Sequence, residues 1–230
     1  MHIFLINGNR CTNKNLFLIL IFVLYLILTT GCGSPFKQTN ISTHELYRSS
    51  ILHNISIYRI GFLTTAVSRE SSLGEYRVVV SNIIEKTFRS EKPKINIISS
   101  REIINKINSA NLTGIYAEVL DFYDITGILN KDFLKKIGDV LNVKYVAQPK
   151  LLSFTEATSV RLSALGLSLI STRETTLKVS LQVWDTFTGN IIWEGSGQAT
   201  IAVEAMRAKP VTFEEVAEVA SLSVVKKFPF

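Results

Sequence analysis

Cysteine and histidine are nearly missing. The 230 residues hold two Cys, Cys11 and Cys32, and three His, of which His44 and His53 lie beyond the first 31 residues. No Cys-x-x-Cys, H-E-x-x-H, G-x-S-x-G, phosphate-binding loop or glycine-rich dinucleotide fingerprint occurs. Neither His44 nor His53 has a Cys, His or carboxylate pair at ligand spacing, so no metal and no cofactor is expected. There is also no basic helix interleaved with aromatics, which argues against nucleic acid as a partner. The residues that remain describe a place and a shape more than a chemistry.

The N-terminus supplies the place. Arg10 and Lys14 form a positive segment without acidic residues, and Leu16 to Leu28 is apolar throughout apart from Tyr25. A spanning helix needs about 20 apolar residues, so this run suits a signal peptide. It ends Leu28-Thr29-Thr30-Gly31-Cys32, which resembles the lipobox of bacterial lipoproteins. Thr29 stands where a leucine is usual, and Leu28 sits one position early. An uncleaved anchor helix is the alternative. Cleavage before Cys32 removes Cys11 and leaves one thiol at the new N-terminus. A lone odd cysteine in an exported chain needs an explanation; acylation of Cys32 provides it, and several acyl chains give stable anchoring. Inner-membrane lipoproteins often carry Asp after the Cys. Gly33 stands here, so the expectation is the outer membrane, facing the periplasm. Of 25 basic residues only Arg10 and Lys14 fall in the first 31, leaving 23 against 19 acidic ones. These are interspersed as on a soluble surface.

The rest divides at about residue 56. Residues 32–56 are rich in Ser, Thr and Asn with weak periodicity and read as a flexible tether, with both remaining His inside it. Residues 57–230 read as one domain. Ile57–Leu63 is its first strand, followed by a loop. Tyr76, Val79, Val80, Ile83, Ile84 and Phe88 share one stripe of a helix over 74–89. Lys94–Ser99 is a short strand, and Ser99 or Ser100 caps the next helix. Asn111–Thr126 is helical with a stop at Gly127. Asn130 caps a helix to Leu141. Val143–Phe154 is a third strand in which Pro149 marks an edge or a bulge. Thr212 caps a last helix, Phe213–Lys227.

Before that helix comes the strongest signal. Leu177, Val179, Leu181 and Val183 alternate with Lys178, Ser180 and Gln182, the pattern of a strand with one face in a core and one in water. Asp185-Thr186-Phe187-Thr188-Gly189 follows as a turn: Asp185 can accept from amides ahead of it, and Gly189 supplies a positive φ. Asn190–Gly197 returns as a second strand. The order of elements predicts an α/β or α+β fold, a mixed sheet with a long C-terminal hairpin, covered by helices.

Two groups of side chains are candidates for function. Glu118, Asp121 and Asp124 recur at spacing three on one helix and could flank a substrate; a solvated face is the plainer reading. Trp184 and Trp193 could stack a sugar, or simply pack the hairpin. The stretch Thr155–Thr175 is more unusual. Val160 and Leu162 alternate with polar residues, then Leu165, Leu167 and Leu169 do so with the opposite parity. A switch of parity near Ala164-Leu165 predicts a turn or bulge. Arms of about 10 residues are also the length of transmembrane strands. The favoured expectation is that Val160, Leu162, Leu165, Leu167 and Leu169 form a partner- or self-association surface.

Three motifs carry a family likeness: the first strand with its loop and helix; Lys136 to Ala147 (KIGDVLNVKYVA); and Val179 to Trp193 (VSLQVWDTFTGNIIW). With them the chain resembles the periplasmic lipoprotein domains related to the curli-secretion (CsgG-type) family, including the N-terminal domain of TolB and lipoprotein activators of penicillin-binding proteins. The likeness implies the fold and marks no active site. The curli secretin carries two long insertions that become membrane hairpins. Ala199–Pro210 is too short for the second. The expectation is therefore a non-enzymatic envelope lipoprotein that binds a protein partner through its association surface and membrane lipid through Cys32. An oligomeric secretion or pore component is the alternative.

Overall fold

Leu177, Val179, Leu181 and Val183 lie fully buried in the middle of a seven-stranded mixed sheet. The computed structural model describes residues 18–19, 21–22, 36–50, 59–68, 72–164, 167–205 and 209–229, with backbone alone for 161–164 and 167–170. Contacts divide the chain into Met1–Phe36 and Lys37–Phe230, and the second unit carries the fold. Among the described residues no helix is long and apolar enough to cross a membrane.

The strands are β1 (Phe36–Arg48), β2 (Ile60–Phe62), β3 (Ala66–Val67), β4 (Ile97–Ile98), β5 (Tyr145–Ala164), β6 (Leu167–Asp185) and β7 (Ile191–Ala205). The helices are α1 (Arg77–Glu91), α2 (Ser100–Ser109), α3 (Thr113–Thr126), α4 (Lys131–Leu141) and α5 (Phe213–Lys227), with a 3₁₀ turn at Ser72–Tyr76. The sheet order is β1-β7-β6-β5-β2-β4, with β3 also on β5. β2 is parallel to β4 and β5, and β3 is parallel to β5. β5, β6 and β7 are antiparallel.

Helices cover both faces. Val80, Ile84 and Phe88 of α1 and Val216, Ala220 and Val224 of α5 share one core with Phe62, Trp193 and Phe228. Its rings meet edge-on: Phe62–Phe88 at 5.1 Å, Trp193–Phe228 at 5.0 Å. The second core holds Ile103, Ile107, Tyr123, Phe133 and Ile137 from α2 to α4 against Val146 and Trp184. The caps follow local chemistry. Ser99 accepts from Glu102 N, Asn130 from Asp132 N and Phe133 N, and Thr212 from Glu215 N. α3 ends on Gly127, φ +70°.

Three expectations need correction. The polar face of β6 is largely not in water: Ser180 and Gln182 are buried and Lys178 is half-buried. Tyr123 of α3 donates to Gln182 Oε1 (2.8 Å), and Gln182 Nε2 donates to Glu194 (3.0 Å). A polar side chain with its partners supplied is tolerated under a helix.

Residues 36–48, read as tether, form β1. Ser49 N donates to Ile192 O (2.9 Å), and Lys37 pairs with Glu215 of α5. β1 is an edge strand held largely through its backbone, so most of its side chains are exposed and no alternation marks it. His44 therefore belongs to the sheet, with Nε2 2.9 Å from Ser42 Oγ. His53 lies outside the described residues.

The third strand runs ten residues past Phe154. Pro149, opposite Leu181, is interior rather than at an edge. Its other side faces the gap where β5 changes partner from β2 (at Ala147) to β3 (at Lys150), so no ladder is interrupted there. The bulge comes later, between Leu151 and Ser153.

Candidate functional site

The long hairpin leaves the body of the sheet. β2 ends its pairing with β5 at Ala147 and β3 at Leu151, and β7 ends opposite Ser171 at Ala205. β5 and β6 continue to Ala164 opposite Leu167. Register shifts lie at Val160/Leu162 and Leu162/Ser163, close to the end of that pairing. On β5, residues 155–160 are all exposed. At the hairpin's base, Phe154 packs against Phe213 (5.0 Å) and Tyr76 (5.6 Å), and Tyr76 stacks on Phe213 at 3.9 Å. These three rings join β5, α5 and the 3₁₀ turn just past the end of β3, while β7 runs on beside β6 to Ala205.

Of the association residues, Val160 is 53% exposed. Leu162, Leu167 and Leu169 are placed by backbone alone, and Leu165 lies outside the described residues. Cys32 also lies outside them.

The opposite end of the hairpin is a rigid turn. Asp185 Oδ1 accepts from Phe187 N (2.9 Å) and Thr188 N (2.8 Å), and Asp185 O from Gly189 N (2.9 Å). Gly189 has φ +77°. Thr186 Oγ1 lies 3.0 Å from both Val143 O and Lys144 O, tying the turn to the entry of β5. The Asp185 carboxylate is thus engaged in holding backbone. Trp193 is fully buried and Trp184 nearly so, which removes both indole faces from any ligand.

The three carboxylates of α3 do not share a face. Three residues rotate a helix by about 300°, so Glu118 and Asp124 end up roughly 120° apart. Asp121 and Asp124 turn toward a cleft of about 220 Å³ with Thr65, Val67 and Arg77, while Glu118 faces solvent. Lys150 Nζ stands 3.6 Å from Asp124 and 5.4 Å from the Tyr123 ring centre. Burial, with Glu194 nearby, pushes the Tyr123 phenol up, keeping it a neutral donor to Gln182. Asp124 is thus set against Lys150 as a structural ion pair.

No protein-family model matches the chain, and no curated protein does. Solved structures resemble it at a distance. The PelC dodecamer from Paraburkholderia phytofirmans shows 12% identity over 83% of this chain and 94% of that one, with a TM-score of 0.41. Lipoprotein GNA1162 from Neisseria meningitidis shows 16% identity over 61% and 81%, with a TM-score of 0.34. The hypothetical protein CT253 from Chlamydia trachomatis shows 10% over 74% and 92%, at 0.41. Similarity at this level assigns no activity.

Two features escaped the sequence reading. The Tyr76–Phe154–Phe213 cluster joins residues far apart in the chain, and no local pattern could signal it. The other is an apolar stripe on α3: Ile115, Phe122 and Ile125 are 36%, 48% and 85% exposed. That stripe has helical spacing, but so do Tyr116, Val119 and Tyr123, which are buried. A helix apolar on two sides does not reveal from sequence which side is covered.

Proposed function

We propose that this chain is a lipoprotein of the bacterial envelope, acylated at Cys32, held at the outer membrane facing the periplasm, and working without catalysis by binding protein through the distal β5–β6 hairpin. The observation that supports it best is the hairpin itself, anchored through Phe154 by three aromatic rings and paired beyond Ser171 only within itself. A fold that only had to be stable would gain nothing from two strands extended past their neighbours; a rigid exposed ribbon suits recognition. The non-enzymatic reading is supported by the engagement of Asp185 in its turn and by the divergence of the α3 carboxylates.

The test is removal of Val160–Ile170 from the full-length protein in its host. The shortened protein should stay folded and membrane-bound but lose its complex on native gels of solubilised envelopes. An unchanged complex would overturn the hairpin reading, and ion conductance by the purified protein in planar bilayers would replace it with a pore. Cys32→Ser should release the protein from the membrane fraction and end labelling by palmitate; retention of label would refute the anchor.

A further inference from the structure

β1 is a long edge without protection. Among the described residues it is bonded on one side only, to β7. It runs 13 residues, about twice the commonest strand length. Its outer side is a row of backbone donors and acceptors. Natural edges are blunted by shortness, by proline or by outward charge. Phe36–Arg48 contains no proline. Its charges are engaged inside the chain: Lys37 pairs with Glu215, and Glu45 holds Arg48 and Trp193. Ile41, Leu46 and Tyr47 are 51%, 58% and 49% exposed. An open edge with apolar side chains beside it takes up another strand.

The sequence of the edge says which strand. Lys37 to Glu45 reads KQTNISTHE, and the same segment run antiparallel reads EHTSINTQK. Set about Ile41, Lys37 stands opposite Glu45, Thr39 opposite Thr43, and Ile41 opposite itself. Opposite charges and Thr–Thr pairs directly across a ladder are both favourable. Both bonds to Glu45 end on Oε2, and an ammonium carries three donors. The pairs inside the chain therefore leave capacity for one across it. Moving the axis to Asn40 or Ser42 sets Lys37 opposite Thr43 or Tyr47 and loses the charge pair. Head-to-tail continuation of the sheet is excluded by its other edge, because β4 has two residues, Ile97–Ile98.

We infer that β1 pairs antiparallel with β1 of a second copy of this chain, about a two-fold axis at Ile41, so that one sheet runs through both copies. The same edge serves both partners, so the contact closes with two copies. It uses no residue of the β5–β6 hairpin and stands apart from the reading of that element.

The full-length lipoprotein in detergent provides the test. Ile41→Cys alone should form a disulfide dimer on oxidation, because directly opposed Cβ atoms stand about 4.5–5.5 Å apart. Thr43→Cys alone should not, since its counterpart lies four residues along the partner strand, ~13 Å at about 3.3 Å per residue. Thr39→Cys mixed with Thr43→Cys should cross-link. Wild type controls for Cys11 and Cys32. In light scattering coupled to size exclusion, the wild-type complex should hold twice the mass of one chain. Ile41→Lys sets two like charges on the axis and should halve that mass with an unchanged circular dichroism spectrum. Removal of Val160–Ile170 should leave the dimer intact. A monomeric wild type, a mass indifferent to Ile41→Lys, or cross-linking of Thr43→Cys alone but not of Ile41→Cys would each overturn the inference. Loss of the dimer on hairpin removal would also overturn it and move the self-contact to the hairpin. An envelope complex unchanged by that removal sinks the hairpin reading and leaves this one standing.

Discussion

Trp193 Nε1 on β7 donates to Glu45 Oε2 on β1 at 3.2 Å, across 148 positions of sequence. Glu45 is also held by Arg48 at 2.6 Å. A residue expected in a flexible tether is thus bonded to a fully buried side chain of the core. Glu45→Ala should cost about 0.5–1.5 kcal/mol, the value of a hydrogen bond. Trp193→Ala should cost about 3–5 kcal/mol, because the ring also fills the core against Phe228. Urea denaturation measures both. A Glu45→Ala protein as stable as wild type would return residues 36–48 to the role of a tether.

The same carboxylate predicts a dependence on acid. The hydrogen bond from Arg48 holds Glu45 below its ordinary value of 4.5, opposed by partial burial and aided by Trp193. A carboxyl lowered by folding contributes stability above its ordinary value and loses it as pH falls through the lowered one. The melting temperature of wild type should therefore drop more steeply than that of Glu45→Gln on acidification below 4.5. Parallel curves would show that Glu45 contributes nothing to acid sensitivity.

Gly138 sits inside α4, where alanine would ordinarily be better by about 1 kcal/mol. Here a Cβ would meet Thr186 Oγ1 at 2.6 Å and Thr186 Cβ at 2.7 Å. The helix lies against the turn after β6 at a distance that only glycine permits. Gly138→Ala should destabilise by about 1–3 kcal/mol, the usual cost of overpacking. A raised melting temperature would mean that α4 can shift away from Thr186 freely.

Gly189 combines a φ of +77° with close approach to the Lys131 side chain, Cγ 2.9 Å from a built Cβ. Gly189→Val should cost about 1–3 kcal/mol through backbone strain. Asp185→Ala should weaken the same turn by freeing the amides of Phe187 and Thr188. Thermal melts showing neither effect would remove the turn from the features that hold the hairpin in register.

What could be seen in the sequence was local. Ser99, Asn130 and Thr212 cap helices through bonds to amides two or three residues on, so type and position sufficed. The Asp185–Gly189 turn was legible for the same reason. β1 was not, because an edge strand bonded through its backbone imposes no pattern on Ser, Thr and Asn. Nor was the burial of Gln182, whose partners Tyr123 and Glu194 lie 59 and 12 residues away. The exposed stripe on α3 was hidden as well, because it and the buried stripe have the same helical spacing.

Because β1 is hydrogen-bonded to β7, the strand synthesised first is completed by one synthesised almost last. A chain emerging N-terminus first can build β2, α1 and the parallel strands as they appear. Phe36–Arg48 must wait for Ile191–Ala205, and pairings so distant in sequence form slowly. Until β7 is made, β1 lacks its partner strand, and a product truncated before Ile191 never acquires it.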